Sequence, residues 1–150
     1  MSRKKENAVS EEAQDKFQAF LFEMDDVLED FVSEAREEGC NLDFSVASSQ
    51  TLERYLADRL RDELTEESKG LLVSRGARYL GEVLRKKMGG KWELCLGSPD
   101  YAYFGLPVIV GHVDVDVEFC PIQVVTNFVA TGRAGLLHRA IQSHLELEGK

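Results

Sequence analysis

The stretch Gly76-Ala77-Arg78-Tyr79-Leu80-Gly81-Glu82, followed by Gly89-Gly90-Lys91-Trp92, constrains this chain more than any other. Before the paired glycines apolar residues recur every three or four positions, and after them they alternate, so a helix hands over to a strand. Leu72, Gly76, Leu80 and Leu84 fall on one line at i, i+4 spacing, with Tyr79 and Val83 beside it. A glycine inside such a stripe costs about 1 kcal/mol relative to alanine, which implies a packing reason for Gly76. Ser74, Ala77 and Gly81 form a second line of small residues. Two readings of that line stand: another backbone comes close to it, or a ligand lies in the groove. Glu82 has Arg78 four residues before it and Lys86 four after, the pattern of an exposed ion-pair ladder rather than of a catalytic carboxylate.

The rest of the chain extends this pattern in both directions. Residues 1–9 read as a disordered tail, and 10–150 as a single domain, since 150 residues can bury a core without staples. From Ser10 to Glu38 the apolar positions, among them Phe17, Leu21, Met24, Leu28, Phe31 and Val32, make one stripe on a long helix with Ser10 as N-cap and Gly39 as terminator. A second helix runs from Ser48 or Ser49 to Leu64. A third starts at Thr65, with Glu66 and Glu67 in its first turn, and ends at Gly89. Strands are expected from Lys91 to Leu96, at about Tyr101 to Phe104, through Val108-Ile109-Val110, and over Val113 to Phe119. The turn Gly97-Ser98-Pro99-Asp100 separates the first two, and Pro107 marks an edge or a bulge. Pro121 opens a helix to about Ala130, and Arg133 to Leu147 forms the last. Consecutive strands with short turns pair antiparallel. The expected fold is therefore α+β, N-terminal and C-terminal helices packed on a three- to four-stranded antiparallel sheet.

Charge is unevenly divided. Residues 1–70 carry 19 acidic and 9 basic side chains, and residues 71–150 carry 8 and 9, which puts the net charge of −9 almost wholly in the first half. Glu11 to Glu38 alone holds 11 acids and two bases. Phosphate binding needs a basic face, so nucleic acid is excluded as a direct partner and a basic protein is admitted. The alternative is a solvated acidic face balanced by Arg75, Arg78, Arg85, Lys86, Lys87 and Lys91 of the same molecule. Cys40, Cys95 and Cys120 form no Cys-x-x-Cys pair, which fits buried thiols in a reducing compartment. The first residues resemble neither a secretory signal nor a membrane anchor, and a cytoplasmic location is expected.

Few residues suggest chemistry. His112, Asp114, Asp116 and Glu118 share one face of their expected strand, about 7 Å apart, too extended to close a metal site unaided. A solvent face is the simpler reading, and no metal or cofactor is expected. His138 and His144 are six apart and lack the i, i+4 spacing of a zinc pair. Phosphate loop, dinucleotide fingerprint and nucleophile elbow are all missing, so no catalytic residue is assigned.

The run Gly76-x-x-Tyr79-Leu80-Gly81-Glu82, then Gly89-Gly90-x-Trp92 and the helix opened by Pro121, resembles a group of small bacterial domains of unknown function. Some of these are similar to immunity proteins of toxin systems. The likeness covers residues 70 to 130 and brings no catalytic residues with it. It implies a non-enzymatic interaction protein, with Asp25, Asp26, Glu29 and Asp30 of the first helix, or Asp114, Asp116 and Glu118, docking on a basic toxin. Two alternatives are a small-molecule or peptide-binding domain using Ser74, Ala77 and Gly81, and a metal-dependent hydrolase centred on His112 and Asp114.

Overall fold

In a computed structural model the chain forms α1 (Ser2–Phe22), α2 (Met24–Glu37), α3 (Ser48–Leu60), α4 (Glu66–Met88), β1 (Lys91–Leu94), β2 (Pro107–Val110), α5 (Pro121–Thr131) and α6 (Leu136–Leu145). The structure describes residues 2–96 and 98–148, with 2–10 described by their backbone alone; Gly97 of the expected turn lies outside the described residues. The expected tail at 1–9 is taken up from Ser2 onward by α1.

The central element is α4. Its N-cap is Thr65, whose hydroxyl accepts the Ser68 N–H at 3.0 Å, and Gly89 at φ +84° ends it. Tyr79, Leu80, Val83 and Leu84 are fully buried and meet Phe31 of α2, Leu52 and Leu56 of α3, Val125 and Phe128 of α5, and Leu137 and Ile141 of α6 in one core. A β-carbon on Gly76 would sit 3.4 Å from Val125 and 3.6 Å from Leu56, so this glycine admits α5 and α3 together. A β-carbon on Gly81 would overlap the Trp92 indole and come within 3.2 Å of Pro121, and Phe20 meets that indole edge-on at 5.1 Å. Of the small-residue line Ser74, Ala77 and Gly81, the last is thus packed closely against the chain's own Trp92.

The long N-terminal helix is interrupted at Glu23, giving α1 and α2 in place of one helix from Ser10 to Glu38. Backbone bonding continues across the junction, the Glu23 N–H donating to the Ala19 carbonyl at 3.0 Å and the Val27 N–H to the Glu23 carbonyl at 2.9 Å. Arg78 of α4 is buried, stacks its guanidinium 4.3 Å over the Phe20 ring, and donates to the Phe20 carbonyl at 3.4 Å, close to that junction.

Strand content is smaller than expected. β1 and β2 pair antiparallel with Lys91 opposite Val110 and Leu94 opposite Pro107, and beyond them a single bridge joins Ile109 to Phe119. Pro107 heads its strand, where its missing N–H is tolerated. Residues 101–104 form turns, and Val113 to Val117 bends outward as a loop. The polar half of the Val-Asp alternation is met by water, and the loop finds a ladder partner only when Phe119 returns beside Ile109. The sheet is therefore two-stranded, within an α+β fold that is mostly helical.

Two glycines of α4 give opposite expectations. Gly70 has open space where a β-carbon would go, so Gly70→Ala raises stability by about 0.5–1 kcal/mol through helix propensity. Gly81→Ala lowers it by about 1–3 kcal/mol, because Trp92 must move. Urea denaturation of the two variants beside the parent reads both signs.

Candidate functional site

Asp25, Asp26, Glu29 and Asp30 of α2 are all exposed, and none of these four forms an ion pair among the described residues. Their spacing places Asp25 above Glu29 and Asp26 above Asp30, like-charged i, i+4 pairs that cost the helix a few tenths of a kcal/mol each. Glu34 is the α2 acid that Arg75 reaches, at 3.2 Å. Arg78 turns inward and its nearest acid is Glu23, at 3.8 Å. The basic residues of α4 thus leave these four carboxylates unneutralised. Phe22, immediately before them, is 90% exposed.

Beside this face lies a groove of about 450 Å³ between α2 and α4. Asp25 and Glu29 stand at one wall and Lys86 at the other, with Leu28, Val32 and Phe44 between them. Phe44 has φ +64°, a left-handed conformation rare for an aromatic residue. Two α4 side chains fix it: the Tyr79 hydroxyl accepts the Phe44 N–H at 2.8 Å, and the Lys86 ammonium lies 5.1 Å from the Phe44 ring centre. Tyr79 also meets the Ser48 hydroxyl at 2.7 Å, and burial pushes its phenol up from the ordinary value. A second, more apolar groove of about 360 Å³ runs between α1 and the sheet, lined by Phe17, Phe20, Leu94, Pro107 and Ile122.

Glu82 is not part of the expected ladder. Its carboxylate accepts from Arg85 at 2.7 and 3.0 Å and from the Trp92 indole N–H at 3.1 Å, joining the end of α4 to β1. The row His112, Asp114, Asp116 and Glu118 also comes apart. Asp114 and Asp116 are exposed on the loop and Glu118 is half-buried, whereas His112 is 6% exposed and turned inward. Among the described residues no three ligand-type side chains gather as a metal site would require.

Pairings invisible in the sequence replace it. His112 Nε2 lies 2.8 Å from Nδ1 of His144, 32 residues away, and Phe119 meets the His144 ring edge-on. Burial lowers the pKa of His112; burial and then its partner lower His144 to about 4. Glu53, 8% exposed, accepts the N–H groups of Gly135 at 2.6 and 3.0 Å and of Leu137 at 3.4 Å, so α3 caps the start of α6. Ser49 Oγ and His138 Nδ1 are 3.1 Å apart. The buried serine hydroxyl also donates to the Val46 carbonyl at 2.7 Å, which ties it to the turn before α3. All three cysteines are buried, and burial raises the Cys120 thiol pKa.

Among known proteins, no protein-family model, no curated protein and no solved structure matches the chain. Among the described residues no helix is long and apolar enough to cross a membrane.

Arg78 gives this part of the molecule its stability test. It bonds Ser74 Oγ at 2.9 Å, while its Nε is buried without a partner. Burial lowers its pKa and Glu23 opposes the shift. Arg78→Ala is expected to cost about 2–3 kcal/mol, mainly as lost packing on Phe20. Arg78→Met, which keeps the volume without burying a charge, costs less than half of that. Paired denaturation curves compare the two.

Proposed function

We propose that this chain is a non-enzymatic interaction protein that binds a basic partner protein in the cytoplasm through the outer face of α2. The observation that carries this reading is the exposed Phe22 shortly before Asp25, Asp26, Glu29 and Asp30, four exposed carboxylates that form no ion pair among the described residues. A large aromatic beside unpaired charge is the composition of a recognition patch: the ring supplies buried area on binding, and the carboxylates supply steering. Repulsion among the four is relieved when a partner's arginines and lysines reach them. The resemblance of residues 70–130 to small bacterial domains makes an immunity protein that neutralises a basic toxin the most concrete form of this reading. The acids of the loop, Asp114, Asp116 and Glu118, stand apart from any such aromatic and are the weaker docking face. The apolar groove beneath α1 favours peptide or small-molecule binding as a second reading, with Phe17, Phe20 and Leu94 as its contacts.

The test is co-purification from the native host with the parent chain, with Phe22→Ala, and with a triple variant carrying Asp26→Asn, Glu29→Gln and Asp30→Asn. A basic protein captured by the parent is expected to associate at least tenfold more slowly with the triple variant, and its affinity falls as salt is raised from 50 to 300 mM, since exposed charges are screened within about 8–10 Å. Phe22→Ala weakens binding mainly by faster dissociation. Thermal unfolding of both variants stays within about 1 kcal/mol of the parent, because the replaced groups are on the surface. Affinity indifferent to salt and to all four substitutions would sink the proposal.

A further inference from the structure

His112, buried, and His144, half-buried, form a titratable pair that the recognition surface does not use, and their protons can be counted. Two neutral imidazoles carry two N–H protons. One lies between Nε2 of His112 and Nδ1 of His144, which are 2.8 Å apart. The other must sit on an outer nitrogen, either Nδ1 of His112 or Nε2 of His144. Nδ1 of His112 is buried without any hydrogen-bond partner, so an N–H there is costly and the proton belongs on Nε2 of His144. In the resting state His112 is therefore the donor and His144 the acceptor. One more proton cannot be taken up without filling the remaining outer position. That creates a buried N–H at His112 Nδ1 with no acceptor, together with a positive charge on a ring that is buried away from water.

The pair joins two separate elements. His112 follows the end of β2 and lies close to Gly90, whose added β-carbon would meet the His112 backbone nitrogen at 3.1 Å. His144 is in the last turn of α6. The start of α6 is held independently by Glu53 and by the contact of His138 with Ser49. We propose that the His112–His144 pair is an acid-sensitive latch, fastening the C-terminal half of α6 to the end of β2 and letting go when the pair takes up a third proton.

The surrounding charges do not cancel this effect. On α6 the other titratable groups are His138 and Arg139, with Glu146 just past its end. α5 carries no charged residue, and Glu53 of α3 is at the opposite end of α6. At the corner between α4 and β1 stand Arg85, which donates to the Gly90 carbonyl, and Lys91, paired with Val110. The loop contributes Asp114, Asp116 and Glu118. None of these makes an ion pair with either ring among the described residues, and burial is the sole cause of the shift at His112. Because the folded-state pKa lies below that of an open histidine, the latch is complete above pH 6.5 and is lost as pH falls toward 4.

Amide hydrogen exchange of the full chain, corrected for the intrinsic effect of pH, tests this. Between pH 7 and pH 5 the opening constant of the last turns of α6 is expected to rise about 20-fold, the ratio given by a shift from 6.5 to about 4. The core amides of α4 do not follow it. His138→Gln keeps the rise and His144→Phe abolishes it. An α6 protection that is flat down to pH 5, or a rise that survives His144→Phe, overturns the proposal. Should His144→Phe fail to fold, NMR titration of the parent's rings decides. Two rings titrating together well below pH 6.5 support the latch, and three independent titrations near 6.5 refute it.

Discussion

The contact between the Trp92 indole and the bare backbone of Gly81 organises one whole side of the molecule. With the edge of the six-membered ring against Gly81, the indole N–H reaches Glu82, and Glu82 in turn fixes Arg85, which closes on the Gly90 carbonyl. Helix, glycine corner and strand are thus locked together by one aromatic side chain. The same ring receives Phe20 edge-on, and Phe20 is the residue over which Arg78 stacks. That stack lies beside the junction of α1 and α2, so the same aromatic chain joins the sheet side of α4 to the helix that leads into the acidic face.

Much of this was legible where chemistry is local. The limits of α4, its Thr65 cap, its glycine stop and the opening of α5 at Pro121 all rest on neighbours within four residues, and they stand where the sequence puts them. The outward position of the α2 acids was equally plain from the apolar stripe opposite. Ser74, Ala77 and Gly81 were legible as a line of small residues, while the edge of the Trp92 ring meeting that line at Gly81 is a contact between positions eleven apart that only the fold shows. Strand alternation misled at Val113 to Val117, because a period of two records which side is wet and not whether a ladder partner exists. What remained hidden was the long-range pairing of polar groups. Arg78 at Phe20, Glu53 at Gly135 and His112 at His144 join residues 58, 82 and 32 apart, and no spacing rule reaches that far.

Charge segregation has a structural origin as well as a compositional one. Four bases of α4 stand where they could neutralise the acidic helix, yet they are directed elsewhere. Arg78 is spent inside, Arg85 turns to Glu82 and the corner, Lys86 covers Phe44, and Arg75 reaches only Glu34. The negative face of α2 therefore persists although α4 packs directly behind it.

The cap that Glu53 places on α6 bears on the order in which the chain acquires structure. A helix of ten residues is too short to persist alone in water, and this one begins at a glycine with no side-chain cap of its own. Its first turn is completed by a carboxylate that belongs to α3. Until α3 is docked, with residues 53 and 135 brought together at the entropic cost of closing the long loop between them, α6 has no means of starting. It is a helix by induction, a late arrival whose presence reports that the rest of the domain has already formed.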